Sequence, residues 1–151
     1  MASIQVESFK ACREELGPIF EQHYKELALH TDKVPLDPDW KSYYLKEFID
    51  ELLFITARDE GVLVGYYSGI ISTELHYKST VSLKMDLIYI HPDLRKTGLG
   101  NQLMDFVERE AMARGCQRIF NGGKDHKDIG GFWAKRGYTP ADNYVCKWVG
   151  E

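Results

Sequence analysis

The sequence has few cysteines and no arrangement of them that suggests a crosslink. Three occur in 151 residues, Cys12, Cys116 and Cys146, and none forms a Cys-x-x-Cys pair. An odd number without paired spacing predicts reduced thiols in a reducing compartment. The five histidines form no His-x-x-x-His or Cys/His pattern, so we predict no metal site.

Long apolar runs and blocks of one charge are also missing. The apolar stretches are far shorter than a bilayer span. The N-terminal "MASIQVESFK" lacks the basic region and apolar stretch of a secretory signal. We therefore predict a cytoplasmic protein with no membrane partner. No Lys/Arg run resembles a nucleic-acid-binding tail, and the net charge of -4 argues against nucleic acid as a partner.

What is present is the composition of a globular protein, with 44% hydrophobic and 28% charged residues, which predicts one domain over 1–151. The patterning predicts an α/β (α+β) fold with a mixed, mostly antiparallel sheet of about six or seven strands and about four flanking helices. Gly17-Pro18 suggests a kink or late start in the first helix. The predicted strands are 3–9, 52–57, 62–71, 81–90, 117–122 and 143–149, and the predicted helices are 11–30, 38–51, 98–114 and 127–136.

The ends of these elements carry their own signals. Residues 58–61 and 73–80 are predicted as turns, and Pro38 or Asp37 is expected to open the second helix. Gly115 and Gly137 are expected to end the third and fourth helices. In the third helix, one apolar face is predicted to consist of Leu99, Leu103, Phe106 and Val107.

The segment "HPDLRKTGLGNQLM", residues 91–104, lies between a predicted strand and a predicted helix. Gly98 and Gly100 let a ligand approach the backbone, and the helix N-terminus carries partial positive charge. Arg95 and Lys96 add cationic side chains. These features suit a pyrophosphate, although a tight turn that caps the helix would use the same glycines. The spacing matches neither the dinucleotide fingerprint nor the Walker loop.

The pattern Arg-x-x-Gly-x-Gly after "IYIHP" resembles the acetyl-CoA-binding motif of the GCN5-related N-acetyltransferases, the GNAT superfamily. "FWAKRGY", residues 132–138, resembles the family's Phe-Tyr-x-Lys-x-Gly-Phe segment. Together with "LHY", "MD" and a C-terminal "KW", the layout is similar to small GNAT proteins encoded by phages. The resemblance implies a GNAT-like fold, acetyl-CoA as cofactor, and direct attack of a primary amine of a small molecule or protein on the thioester.

The resemblance also implies which residues bind the cofactor. Backbone N–H groups of the loop would hold the pyrophosphate, and the strand before it would pair with the pantetheine amides. A residue after the next strand would contact the cofactor arm. The implied set is Ile88, Tyr89, Ile90, Arg95, Lys96, Thr97, Gly98, Leu99, Gly100, Asn101, Asn121 and Trp133.

The attacking amine must be neutral, so the reaction needs a base or a desolvated site. Asp86 is the first candidate, and strand alternation predicts that it shares a face with Ile88 and Ile90. The alternative for Asp86 is a structural hydrogen bond at the strand edge.

The family's usual acid is a tyrosine, and Trp133 stands at that position. An indole N–H cannot supply a proton at a useful pKa. The candidate substitutes are Tyr138, His126 and Tyr89, unless the thiolate leaves unassisted.

In this fold the N-terminal helices and the loop between them line the acceptor cleft. The resemblance therefore makes "HTDKVPLDPDW", residues 30–40, the expected specificity element. The acceptor-site candidates are His23, Asp37, Tyr43, His76 and Tyr77, each of which could instead serve packing or capping. A non-catalytic acyl-CoA-binding or protein-interaction module on the same fold is the alternative function. Family analogy suggests a homodimer formed through 143–149.

Overall fold

The computed structural model describes residues 2–123 and 130–151, which form one five-stranded sheet with strand order β1-β2-β3-β4-β5. The first four strands are antiparallel, and β5 joins β4 in parallel. The mixed, mostly antiparallel sheet predicted from sequence is confirmed. The strands are β1 (Ser3–Val6), β2 (Leu52–Asp59), β3 (Val62–Glu74), β4 (Tyr77–Ile90) and β5 (Arg118–Phe120), and the helices are α1 (Arg13–Leu27), α2 (Trp40–Phe48), α3 (Leu99–Ala113) and α4 (Gly130–Lys135).

The sheet has fewer strands than predicted, because the segment 143–149 forms no strand in the structure. An alternating pattern makes a strand only where a neighbouring strand accepts its backbone hydrogen bonds. Tyr144 and Val145 remain largely exposed. Trp148 is only partly exposed, and its ring lies 6.3 Å from that of His30 in the α1–α2 loop.

The polar segment 73–80, predicted as a turn, instead continues both strands of a long hairpin. Thr73 pairs with Val81, and only Leu75 and His76 separate β3 from β4. The backbone hydrogen bonds between β3 and β4 stabilise the extended conformation here, although the side chains are polar. Gly17-Pro18 does not delay α1, which begins at Arg13 directly after a 3₁₀ turn.

Three predicted chain reversals are confirmed by their backbone angles. Glu60 and Gly61 have φ of 49° and 82°, as in the two-residue turns that favour β-hairpins. Gly115 and Gly137 have φ of 84° and 87° and follow α3 and α4. Hydrogen bonds from Cys116 N to Ala111 O and from Tyr138 N to Trp133 O complete Schellman caps.

Each face of the sheet carries its own apolar core. The α3 residues predicted to face the sheet do so, and Phe106 packs at the edge of that core. Burial of apolar surface is the main stabilising contribution on both faces. It contributes about 25 cal/mol for each Å² removed from water. The core on the α1/α2 side includes Phe9, Phe20, Phe54, Tyr66 and Tyr89, and the core on the α3/α4 side includes Leu53, Ile55, Leu103, Val107 and Trp133.

Candidate active site

A β-bulge in β4 decides where Asp86 points. Ser68 of β3 pairs with Leu87, but the next residue, Gly69, pairs with Met85, so Asp86 is the extra residue. A bulge interrupts the alternation of side chains. Asp86 therefore lies on the α1/α2 side of the sheet, whereas Ile88 packs into the α3/α4 core. The prediction that Asp86 shares a face with Ile88 and Ile90 is wrong for this reason.

Two hydroxyl groups hold the Asp86 carboxylate. Tyr43 Oη, from α2, and Ser68 Oγ, at 2.9 Å, both donate to Asp86 Oδ2. Burial, and then the charge and hydrogen bond of Asp86, raise the pKa of Tyr43, so its hydroxyl stays a donor. Ser68 was not among the predicted site residues, although a serine within the apolar run "VGYYSGII" indicates a buried polar contact.

Beside Asp86 the sheet opens between β4 and β5. The two strands pair only from Ser82 to Lys84 of β4. Among the described residues, the following part of β4 has no strand partner on that side. His91 N donates to Val64 O of β3. In an antiparallel pair, the backbone N–H and C=O groups of successive residues point alternately toward the partner strand and away from it. Those of Tyr89 therefore point toward β3, and those of Ile88 and Ile90 point toward the gap.

The loop after β4 presents backbone donors at the start of α3. Lys96 and Gly98 have φ of 66° and 92°, and Thr97 Oγ1 donates to Leu94 O at 2.6 Å. In the part of the chain that the structure describes, the N–H groups from Lys96 to Asn101 find no acceptor outside the helix. Since the first N–H groups of a helix have no partner within it, this loop is suited to an anion.

Arg95 joins the loop to the end of β4 and to α1. Its Nε donates to Ile90 O at 2.9 Å, and its guanidinium pairs with Glu26 of α1 at 3.0 Å. Burial acts to raise the pKa of Glu26, but the hydrogen bond and charge of Arg95 lower it overall. Lys96 is exposed at the loop surface. A Cβ on Gly100 would lie 3.7 Å from the Phe132 ring, so Phe132 bounds the space above α3.

Asn121 and Trp133 lie at the other side of the opening, after β5. Asn121 Oδ1 accepts a hydrogen bond of 2.9 Å from Tyr67 Oη. Asn121 Nδ2 is buried without a hydrogen-bond partner in the described residues. Trp133 is 8% exposed, and its indole N–H donates to Gly122 O at 3.2 Å. Trp133 is therefore a core residue next to the predicted cofactor arm.

Tyr138 donates its hydroxyl to Glu108 of α3 at 3.0 Å. Burial, and then the hydrogen bond and charge of Glu108, raise the pKa of Tyr138 well above its ordinary value. A proton held in this way is hard to release to a leaving thiolate. His126 lies outside the described residues. Tyr89 packs in the α1/α2 core.

The predicted acceptor residues do not all converge. Tyr43 contacts Asp86, and the His23 ring lies 5.7 Å from the Tyr89 ring. Asp37 is exposed in the α1–α2 loop. His76 and Tyr77 lie at the tip of the β3–β4 hairpin. That tip is about 30 Å along β4 from Asp86 at a rise of about 3.3 Å per residue.

Asp39, rather than Pro38 or Asp37, caps α2. Its Oδ1 accepts from Ser42 N at 3.0 Å. Residues 2–123 and 130–151 contain no group of three or more side chains able to hold a metal ion. No helix in these ranges is long and apolar enough to cross a bilayer.

One stretch of chain holds three features in order. They are the anchored Asp86 carboxylate, the open sheet edge at residues 87–90, and the donor-rich loop at residues 96–101. An extended ligand with an anionic end fits this arrangement, with its anion at α3 and its other end near Asp86. This arrangement is typical of a protein that binds a phosphate-bearing ligand beside an acidic group.

Comparison with known proteins identifies that class. Residues 10–138 match the acetyltransferase (GNAT) family, so the chain belongs to that family. It is a GNAT acetyltransferase, as the sequence motifs predicted.

Solved structures with the same fold are similar over nearly the whole chain. A ribosomal-protein-alanine N-acetyltransferase from Brucella melitensis biovar Abortus 2308 matches with TM-score 0.71 and 20% identity, covering 98% of this chain and 99% of that one. A predicted acetyltransferase with acetyl-CoA from Clostridium acetobutylicum matches with TM-score 0.73 and 14% identity, covering 99% and 97%. The aminoglycoside N-acetyltransferase AAC(6')-Iy in complex with CoA matches with TM-score 0.70 and 16% identity, covering 99% of each chain. The family and the cofactors of these neighbours support acetyl-CoA as the cosubstrate.

Proposed function

We propose that this protein transfers an acetyl group from acetyl-CoA to a primary amine of a small molecule or protein. The observation that carries the proposal is the position of Asp86, an accessible carboxylate anchored beside an open sheet edge that leads to a donor-rich loop. Acetyl-CoA would supply the acetyl group as a thioester, whose C–S bond breaks as the amine nitrogen forms the new C–N bond.

The chain's own residues have distinct roles in this proposal. The N–H groups from Lys96 to Asn101 bind the pyrophosphate. The peptide groups of Ile88 and Ile90 pair with the pantetheine arm, while Asn121 and Trp133 line its other side. Asp86 accepts the proton that the amine loses. We propose that the thiolate leaves unassisted and takes its proton from water. Tyr138 is bound to Glu108, Tyr89 packs in the α1/α2 core, and the Trp133 indole cannot donate. His126, the remaining candidate acid, lies outside the described residues.

We propose the class of acceptor amine from the names of the structurally similar proteins. One neighbour is named for a ribosomal-protein alanine and another for aminoglycosides, so both protein and small-molecule amines belong in a screen. We further propose that residues 1–151 act as one domain in the cytoplasm, since all three cysteines are free. The likeness to phage-encoded members stays a prediction.

We also propose a homodimer through 143–149, whose Tyr144, Val145 and Val149 side chains are largely exposed in the single chain. Sedimentation velocity of the full chain tests this proposal, with a species of twice the 17.4 kDa chain mass expected. Sedimentation at the mass of one chain at all concentrations would contradict the dimer.

Binding is tested by melting curves with and without acetyl-CoA. A ligand at a hundred times its Kd adds about 2.7 kcal/mol of stability, or roughly 5–11 °C for a chain of this size. Gly98→Val should abolish the shift, because it alters the loop backbone and adds bulk beside its donors. Gly115→Val is the matched control. Gly115 also has positive φ and open space around a Cβ, but it lies at the opposite end of α3 from Gly98. No shift in the parent protein at millimolar acetyl-CoA would refute the proposal.

Chemistry is tested with Asp86→Asn, which keeps the side-chain shape and removes the base. We expect kcat on the best amine of a screened panel to fall by about 10²–10⁴, while the acetyl-CoA melting shift persists. Asp50→Asn, at an exposed position, is the control. If Asp86→Asn acetylates as fast as the parent protein, Asp86 is not the base. If the parent protein binds acetyl-CoA but acetylates no amine, the non-catalytic alternative is favoured.

A further inference from the structure

We infer that Tyr43 is a positioning residue for Asp86, fixing one carboxylate oxygen so that the other meets the acceptor amine. The inference rests on the proposed function, because it assigns Tyr43 to the same site. The carboxylate lies on a bulge, where the backbone alone does not fix the direction of the side chain.

The two hydrogen bonds to Asp86 end on the same atom. Tyr43 Oη and Ser68 Oγ both donate to Oδ2, and Oδ1 accepts no hydrogen bond from the residues that the structure describes. Asp86 is exposed. Its carboxylate therefore has one anchored oxygen and one oxygen open to an incoming amine, the arrangement that a base needs.

The Tyr43 hydroxyl is directed at Asp86 by the packing of its ring. The ring stacks on Phe9 with centroids 4.3 Å apart and an interplanar angle of 10°. Phe9 is buried, and its backbone N–H donates to Glu47 of α2 at 2.5 Å. Because α2 and the turn before α1 are locked together in this way, little rotamer entropy remains for Tyr43 to lose on binding Asp86.

Ser68 donates the second hydrogen bond to Asp86 from the sheet. It is completely buried in β3, opposite Leu87. The two anchors thus come from different elements, a helix and a strand, and together they hold the carboxylate in two directions. Removal of either hydroxyl leaves Oδ2 with one donor and lets the carboxylate rotate.

The surrounding titratable groups are phenols and one imidazole. Tyr66 from β3 and Tyr89 from β4 lie near Tyr43 and Asp86, and His23 from α1 contacts the Tyr89 ring. The Tyr66 hydroxyl is buried and has no hydrogen-bond partner in the described residues. It therefore does not share the anchoring of Asp86.

The first measurement needs no acceptor. Carboxyl carbons of labelled aspartate are observed by ¹³C NMR at neutral pH, and the Asp86 signal is identified by its absence in Asp86→Asn. The carboxyl chemical shift depends on the hydrogen bonds that the carboxylate accepts. In Tyr43→Phe, which keeps the stacked ring, we expect the Asp86 signal to move, because one of the two hydroxyl donors to Oδ2 is lost. Tyr44→Phe, one residue away and directed elsewhere, should leave it unchanged.

The second measurement is kinetic, with the best amine from the panel. Tyr43→Phe should lower kcat about tenfold, with the KM for acetyl-CoA unchanged, because the base is misdirected while the cofactor site is intact. Ser68→Ala should act in the same direction. The matched control is Ser82→Ala, which removes another fully buried serine hydroxyl, one without a hydrogen-bond partner in the described residues.

An unmoved Asp86 carboxyl signal in Tyr43→Phe would overturn the inference. So would a moved signal with unchanged kcat, and in that case the proposed function stands. A parent protein that binds acetyl-CoA but acetylates no amine removes the catalytic proposal itself, and the positioning role with it.

Discussion

Trp133, at a predicted cofactor-binding position, also packs in the α3/α4 core. Its ring makes edge contacts with Phe132 and Tyr138, at centroid distances of 4.9 and 5.4 Å. Its N–H is satisfied by Gly122 O. A buried aromatic side chain with its polar atom paired contributes mainly through packing.

Trp133→Phe should therefore lower stability more than activity. The loss of one hydrogen bond and part of the ring predicts a decrease of about 1–3 kcal/mol in the free energy of unfolding, with kcat changed less than twofold. Urea denaturation and the acetylation assay measure the two quantities. Trp148→Phe, at a less buried tryptophan, is the control. A large loss of kcat without loss of stability would show that the indole acts in the chemistry.

At the scale of elements, the β3–β4 pairing and its bulge determine the site. The bulge moves Asp86 to the α1/α2 face, and the short β4–β5 pairing leaves the next residues of β4 open. Gly69 lies beside the bulge and packs tightly. A Cβ there would lie 2.7 Å from Leu83 Cδ1 and 3.1 Å from Lys84 O.

Gly69→Ala should destabilise the protein by about 1–3 kcal/mol, because the added methyl group overpacks a rigid sheet. Gly17→Ala is the matched change in α1. A Cβ there meets nothing within 4 Å, and alanine favours a helix over glycine by about 1 kcal/mol. Thermal melting should thus give opposite signs for the two variants. Equal effects would mean that the tight packing around Gly69 relaxes at no cost.

At the scale of the molecule, Arg58 connects three parts of the chain. From β2 it binds Glu7, after β1, at 2.8 Å and Glu15 of α1 at 2.7 Å. Thr56 and Cys12 also contact Glu7. Burial acts to raise the pKa of Glu7, but the hydrogen bonds of Arg58, Thr56 and Gln5 and the Arg58 charge lower it from 4.5 to about 2.

A depressed carboxyl pKa stabilises the folded state above the unfolded value, and this stability is lost as the pH falls from about 4.5 toward 2. After allowance for solvent screening, Glu7→Gln should cost about 1–2 kcal/mol at pH 7 and progressively less below pH 4. Urea denaturation across this pH range measures the difference. Glu14→Gln, at an exposed position of α1, is the matched control. A pH-independent loss in Glu7→Gln would assign its effect to packing.

Much of the fold could be predicted because local signals agreed with the tertiary structure. The α3 face, the Glu60-Gly61 turn and the glycine caps depend on periodicity and backbone freedom, which neighbouring residues determine. The loop at 95–101 was found in the same way, since glycine spacing and cationic residues are visible in the chain. The strand predicted at 143–149 failed because a strand also needs a partner that periodicity cannot reveal.

The amino-acid order alone was enough to indicate the family, the donor-rich loop and Asp86 as a candidate base, because these depend on residue types at short spacing. Only the tertiary structure decided which face Asp86 occupies, that Tyr43 and Ser68 anchor it, and that Arg95 pairs with Glu26. It also placed His76 and Tyr77 far from Asp86. These contacts join residues up to 69 positions apart, and they depend on a bulge and a strand register set by the packing of the whole sheet.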